Sequence, residues 1–118
     1  MTSTNNQTYY DEEVDIIMLS KGQKVQHSVD CDPFIIDVDF SGAISGVEIL
    51  DATNTLKLDV ETLKSLKGGR IQVQYKQNNT LVSIYLTFQK NSKEIEIPIK
   101  VNLGKEHTLT EKAEFCIA

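Results

Sequence analysis

This chain is poor in the residues from which most small catalytic and metal centres are built. It has two cysteines and two histidines in 118 residues. Cys31 and Cys116 are far apart and match no zinc or redox spacing, and neither His27 nor His107 has a cysteine at ligand spacing. Asp30 and Asp32 flank Cys31, and their charge disfavours a thiolate there. There is no nucleophile elbow, Walker loop or dinucleotide fingerprint, so no catalytic residue is assigned, no cofactor is expected, and the chain reads as a non-enzyme. No apolar run approaches the roughly 18–20 residues that span a bilayer, which argues against a membrane protein. Met1 to Thr8 lacks the basic start and apolar core of a secretory signal and reads as a disordered lead-in, residues 1–8. A cytoplasmic location with both thiols reduced is the expectation.

What remains is an ordinary globular composition, 40% apolar and 25% charged. Residues 9–118 suffice for one compact domain with a core that needs no staples. The net charge of −5 is unevenly spread. Residues 1–59 hold 11 acidic and 3 basic side chains, whereas residues 60–118 hold 6 and 9. The acidic half would repel phosphates within a Debye length of about 8–10 Å, so no nucleic-acid partner is expected. A basic protein or a cation suits it better.

The stretch Asp37-Val-Asp-Phe-Ser-Gly-Ala-Ile-Ser-Gly-Val-Glu48 comes close to an EF-hand loop. Asp37, Asp39 and Ser41 stand at the first, third and fifth positions, Gly42 at the sixth and Glu48 at the twelfth. Its flanks argue otherwise. Pro33-Phe34-Ile35-Ile36 cannot be an entering helix, and Gly46-Val47-Glu48-Ile49-Leu50 alternates as a strand does. The segment therefore reads as a β-hairpin turning at Gly42. A weak divalent-cation site through Asp37, Asp39, Ser41 and Glu48 is kept as an alternative.

Period-two alternation recurs along the chain. Val14 to Leu19 and Val25 to Val29 read as strands, the latter weak and peripheral. Phe34, Ile36, Val38 and Phe40 share one face, and Gly46 is expected at a bulge or a close approach. The C-terminal part offers three strands, around Ile71–Tyr75, Val82–Phe88 and Ile95–Val101, joined by short turns as an antiparallel meander. Pro98 cannot donate to a ladder, which suggests an edge. One helix is expected over 59–67, with Asp59 as N-cap, a Val60-Leu63-Leu66 stripe and Gly68-Gly69 as its stop. The tail could start a helix at Thr110 or a last strand at Glu114. The fold class is α+β: a mainly antiparallel sheet of six to eight strands with one main helix. Residues 9–53 form a first β region, 54–69 the helix region and 70–118 the meander and tail.

Tyr10-Asp11-Glu12-Glu13-Val14-Asp15, with Ile35-Ile36-Asp37-Val38-Asp39, Gly42 and Gly46-Val47-Glu48-Ile49-Leu50-Asp51-Ala52, resembles the domain of unknown function family 2283. The likeness spans roughly residues 9–53, and Ser41 replaces the family's acidic turn residue. It implies a β-rich intracellular prokaryotic domain without assigned activity, and an antitoxin-like partner of a small basic protein as a family-level role. Together these readings point to a non-catalytic protein-interaction or structural module that meets a protein partner, or itself, through a sheet edge.

Overall fold

Alternating apolar residues bury one side of the central strands, and two sheets result whose apolar sides share one core. The computed structural model describes residues 7–76, 79–103 and 114–117, the last four by backbone alone. The N-terminal sheet holds β1 (Gln7–Asp11), β2 (Ile16–Ser20), β3 (Val25–Cys31), β4 (Phe34–Asp39) and β5 (Ile44–Ile49). Two short helices follow, α1 (Ala52–Leu56) and α2 (Val60–Lys64). The C-terminal sheet holds β6 (Leu66–Tyr75), β7 (Thr80–Lys90), β8 (Lys93–Asn102) and β9 (Glu114–Ile117). Strand order is β1-β2-β5-β4-β3 in the first sheet and β6-β7-β8-β9 in the second, with every pair antiparallel.

Ile17, Leu19, Phe34, Ile36, Val47 and Ile49 of the first sheet are buried in one cluster with Val82, Ile84, Leu86, Phe88, Ile99 and Val101 of the second. Ala52, Leu56 and Leu63 bring both helices into it. Burial of a side chain of this size stabilises by about 1.5–3 kcal/mol. The expected antiparallel α+β architecture and C-terminal meander are present, and the Asp37–Glu48 segment forms the β4–β5 hairpin. Ser45 is the extra residue where the β4–β5 register shifts, beside Gly46. A Cβ on Gly46 would lie 2.9 Å from the Asp37 carboxylate, so the expected bulge and close approach coincide.

Several expectations need correction. Among the described residues nine strands form, because Gln7 and Thr8 belong to β1 and not to a lead-in. Val14 lies in the turn before β2 and is 57% exposed. The helix expected over 59–67 is shorter, Val60–Lys64, and a second of five residues, Ala52–Leu56, precedes it where none was expected. Asp59 does cap α2, accepting from the Thr62 N–H, but the helix ends at Lys64. Leu66 already pairs with Phe88. Gly68 and Gly69 stand inside β6, where Gly69 makes room for the core. A Cβ there would meet Leu19 Cδ2 at 2.9 Å and the Tyr85 carbonyl oxygen at 3.1 Å. Pro98 is on an inner strand, since β8 lies between β7 and β9. Ladder pairing with β9 begins at Ile99, one residue later, which is how a residue without an N–H is accommodated. The tail forms a strand from Glu114, while Thr110 falls outside the described residues.

Leu63 is fully buried and is the main apolar anchor of α2. Five helical residues cannot hold themselves together in water, so docking decides whether the turn forms. Leu63→Ala should cost about 2–4 kcal/mol in urea unfolding. A loss within the error of the measurement would mean that α2 is not docked as described.

Candidate functional site

On the side of the C-terminal sheet turned away from the core, the register places opposite charges across three strands. Leu66 pairs with Phe88 and Gly68 with Thr87, which leaves Lys67 as the extra residue of a bulge. Arg70 pairs with Tyr85, Thr87 with Glu96, and Gln89 with Glu94. Lys67 Nζ donates to Glu94 Oε2 at 2.7 Å and to Gln89 Oε1 at 3.3 Å. The Arg70 guanidinium lies 4.0 Å from the centre of the Tyr85 ring and 3.7 Å from Glu96 Oε2. Lys67, Arg70, Tyr85, Thr87, Glu94 and Glu96, with Gly68 and Gly69, line an open cleft of about 320 Å³. A Cβ on Gly68 would touch nothing within 4 Å, so the bare glycine adds to the hollow.

The two cations and two carboxylates are each about half exposed. Ion pairs of that kind contribute little to stability, so exchanging a carboxylate for a ligand's anion costs little. Chemically the cleft offers a planar guanidinium suited to two-point binding of phosphate or carboxylate, an ammonium, a hydroxyl from Thr87 and an aromatic ring. Sequence inspection shows these residues as the polar side of alternating strands. It cannot show that they meet, because meeting depends on the β6 bulge and on the strand register.

The residues of the EF-hand-like segment do not converge. Asp39 Oδ1 accepts from the Ser41 hydroxyl at 2.7 Å and from the N–H groups of Ser41 and Ala43. These bonds, led by the one from Ser41, hold its carboxyl below the usual range, and they use it to close the turn. Asp37 accepts from Ser28 at 2.7 Å. Glu48 stands between Met18 and Ile35 on the sheet, where burial and then the Asp37 charge push its carboxyl up. The alternative cation site through Asp37, Asp39, Ser41 and Glu48 is therefore corrected: Asp39 and Ser41 close the turn, Asp37 bonds across to β3, and Glu48 lies along the sheet. Among the described residues no three His, Cys, Asp or Glu side chains could hold a metal ion. Burial, followed by the Asp30 charge, raises the Cys31 thiol, in line with the sequence reading. Among the described residues no helix is long and apolar enough to cross a membrane.

Asp15 organises the join between the first hairpin and α1. Its carboxylate accepts from Tyr10 Oη at 2.8 Å, from Thr53 Oγ1 at 2.7 Å and from the Thr53 N–H, while its own carbonyl accepts from Ala52 N. Burial works against the charged form, but the bonds from Thr53 and Tyr10 outweigh it and the carboxyl is held below its ordinary value of 3.8. Tyr10 is pushed up to about 12, by burial and then by donating to Asp15.

No family model matches the chain, and no solved structure matches it significantly. A curated protein of Methanosarcina mazei, named "Putative hypoxanthine phosphoribosyltransferase", is 28% identical over 88 residues. The match covers 74% of this chain and 72% of that protein, so the two are of similar length. Wherever it begins, a match of that extent includes residues 32–87 and hence Lys67, Arg70 and Tyr85. This similarity overturns the expectation of a non-catalytic, non-enzymatic module, because the relative bears the name of an enzyme.

Asp15 gives the fold a pH dependence of definite sign. A depressed carboxyl stabilises fully above its ordinary range, and the contribution is lost as pH falls through the lower folded value. Acid unfolding followed by circular dichroism should show stability declining below about pH 4, less steeply in Asp15→Asn than in the native chain. A residual slope belongs to Asp39 and Asp59, whose carboxyls are lowered by hydrogen bonds from Ser41 and Thr62. At neutral pH, Asp15→Ala should cost about 1–3 kcal/mol, since it strands the Tyr10 and Thr53 donors.

Proposed function

We propose that this chain is an enzyme acting on a phosphoribosyl compound, and that its ligand sits in the cleft over Lys67 and Arg70. The observation that carries the reading is the meeting of two cations, two carboxylates, a hydroxyl and an aromatic ring in one hollow. A phosphorylated pentose presents matching groups. Its phosphate asks for Arg70 and Lys67, its ribose hydroxyls for carboxylate acceptors such as Glu94 and Glu96, and its ring for a flat apolar surface such as Tyr85. A volume of about 320 Å³ suits a ligand of that size. The name of the Methanosarcina mazei relative supports the same substrate class, and phosphoribosyl transfer to a purine base is the corresponding reaction.

In this reading Arg70 is the principal anion ligand. Its stacking on Tyr85 holds the guanidinium in place, so less side-chain freedom is lost when phosphate binds. Lys67 adds charge without fixed direction. Glu94 and Glu96 neutralise the cleft while it is empty and turn to hydroxyls when it is filled.

Titration of the native chain with ribose 5-phosphate and with 5-phosphoribosyl diphosphate, followed by amide NMR, should shift signals from Lys67 to Arg70 and around Tyr85. Arg70→Ala should weaken binding by about tenfold or more, the loss expected for a charge-assisted contact. Incubation with 5-phosphoribosyl diphosphate and hypoxanthine should release diphosphate, and Arg70→Ala should release less. If neither sugar phosphate moves those amides and no diphosphate appears, the reading is wrong.

A further inference from the structure

β3 is the outer strand of the N-terminal sheet, and among the described residues no strand lies beyond it. Most of its residues are exposed, whereas β1 at the opposite edge lies against β6. Cys31 and Phe34 close a two-residue hairpin with β4, and the residues closing such a hairpin bond to each other. By alternation, His27, Val29 and Cys31 turn their backbone groups toward β4. Ser28 and Asp30 turn theirs outward, to the open edge. Gln26 is the extra residue at a register shift, and a bulge there confines regular pairing to residues 27–31. That stretch is symmetric about Val29.

Charge selects both partner and direction. Lys21 and Lys24 stand at the start of β3, and Asp30 and Asp32 at its end. A parallel copy would set like charges together. An antiparallel copy sets Lys24 diagonally across from Asp32 of the second copy, two residues off the direct register and within reach of a long side chain, and does so twice by symmetry.

We propose that β3 pairs antiparallel with β3 of a second copy of this chain, about a two-fold axis at Val29. Ser28 then faces Asp30 of the second copy and exchanges backbone hydrogen bonds with it. Val29 faces Val29, and His27 faces Cys31. Two N-terminal sheets become one continuous sheet, and the bulge at Gln26 with the flanking charges sets the register. The pairing leaves the Lys67–Arg70 cleft untouched, since that cleft lies on the other sheet.

Cysteine cross-linking reads the register directly. In a non-hydrogen-bonded antiparallel pair the Cα atoms are about 4.5 Å apart, so Val29→Cys should form a disulfide-linked dimer on mild oxidation. Ser28→Cys should not, because its two copies are offset by two residues and lie beyond the about 7 Å that a disulfide can bridge. Native Cys31 is further still from its counterpart. Light scattering across a concentration series should show a dimer for the native chain. Lys24→Glu should raise its dissociation constant at least tenfold, and Lys24→Glu combined with Asp32→Lys should restore it. Both charge positions are exposed, so these variants should fold whatever the fate of Val29→Cys. A monomer at all concentrations, a cross-link at Ser28→Cys in place of Val29→Cys, or no rescue by the charge swap overturns the proposal.

Discussion

Leu19 sits between two glycines, and the arrangement of the two sheets rests on that fact. Its side chain occupies the space that a Cβ on Gly69 would need, and its carbonyl oxygen would lie 3.0 Å from a Cβ on Gly46. One contact joins the N-terminal sheet to the C-terminal sheet, and the other sets β2 close against β5. Tight packing of this kind leaves no room for adjustment, because backbone atoms stand on one side of each contact. β2 in turn carries β1 on one side and β5 on the other. The position of β1 against β6, and of Asp15 under α1, follows from where Leu19 is held.

The strands were legible wherever one side of the sheet is wet and the other buried. β7 and β8 alternate strictly, and their register runs unbroken from Leu81–Asn102 to Lys90–Lys93. The hairpin inside the EF-hand-like segment could be read from its flanks for the same reason. What failed to show was local structure decided by distant contacts. β1 is Gln-Thr-Tyr-Tyr-Asp, with little apolar signal, and it is a strand because β2 offers a free edge. The Gly68-Gly69 pair suits a helix stop as well as a close approach of two sheets. Only the position of Leu19 separates those meanings.

The candidate cleft was illegible for a different reason. Lys67, Arg70, Glu94 and Glu96 look in sequence like the ordinary solvated side of a meander. Their convergence needs the bulge at Lys67 and the in-register pairing of β7 with β8. Conversely, the segment with the stronger motif holds Asp39 in turn closure and Asp37 in a cross-strand bond. Resemblance to a ligand pattern reports spacing, whereas ligation needs lone pairs that nothing else is using.

Strand connectivity also bears on how the chain reaches this state. In the C-terminal sheet β6, β7 and β8 pair with sequence neighbours, and β7 turns into β8 at Asn91-Ser92, both in the left-handed region. The N-terminal sheet instead pairs β2 with β5 around the whole β3–β4 hairpin. Closing that longer loop loses more chain entropy before any contact offsets it. The pairings of the meander are thus the more local ones, and its apolar side is the surface against which β2 packs. Gly69 lies on that surface, so the most local part of the fold carries the notch into which the least local part must fit.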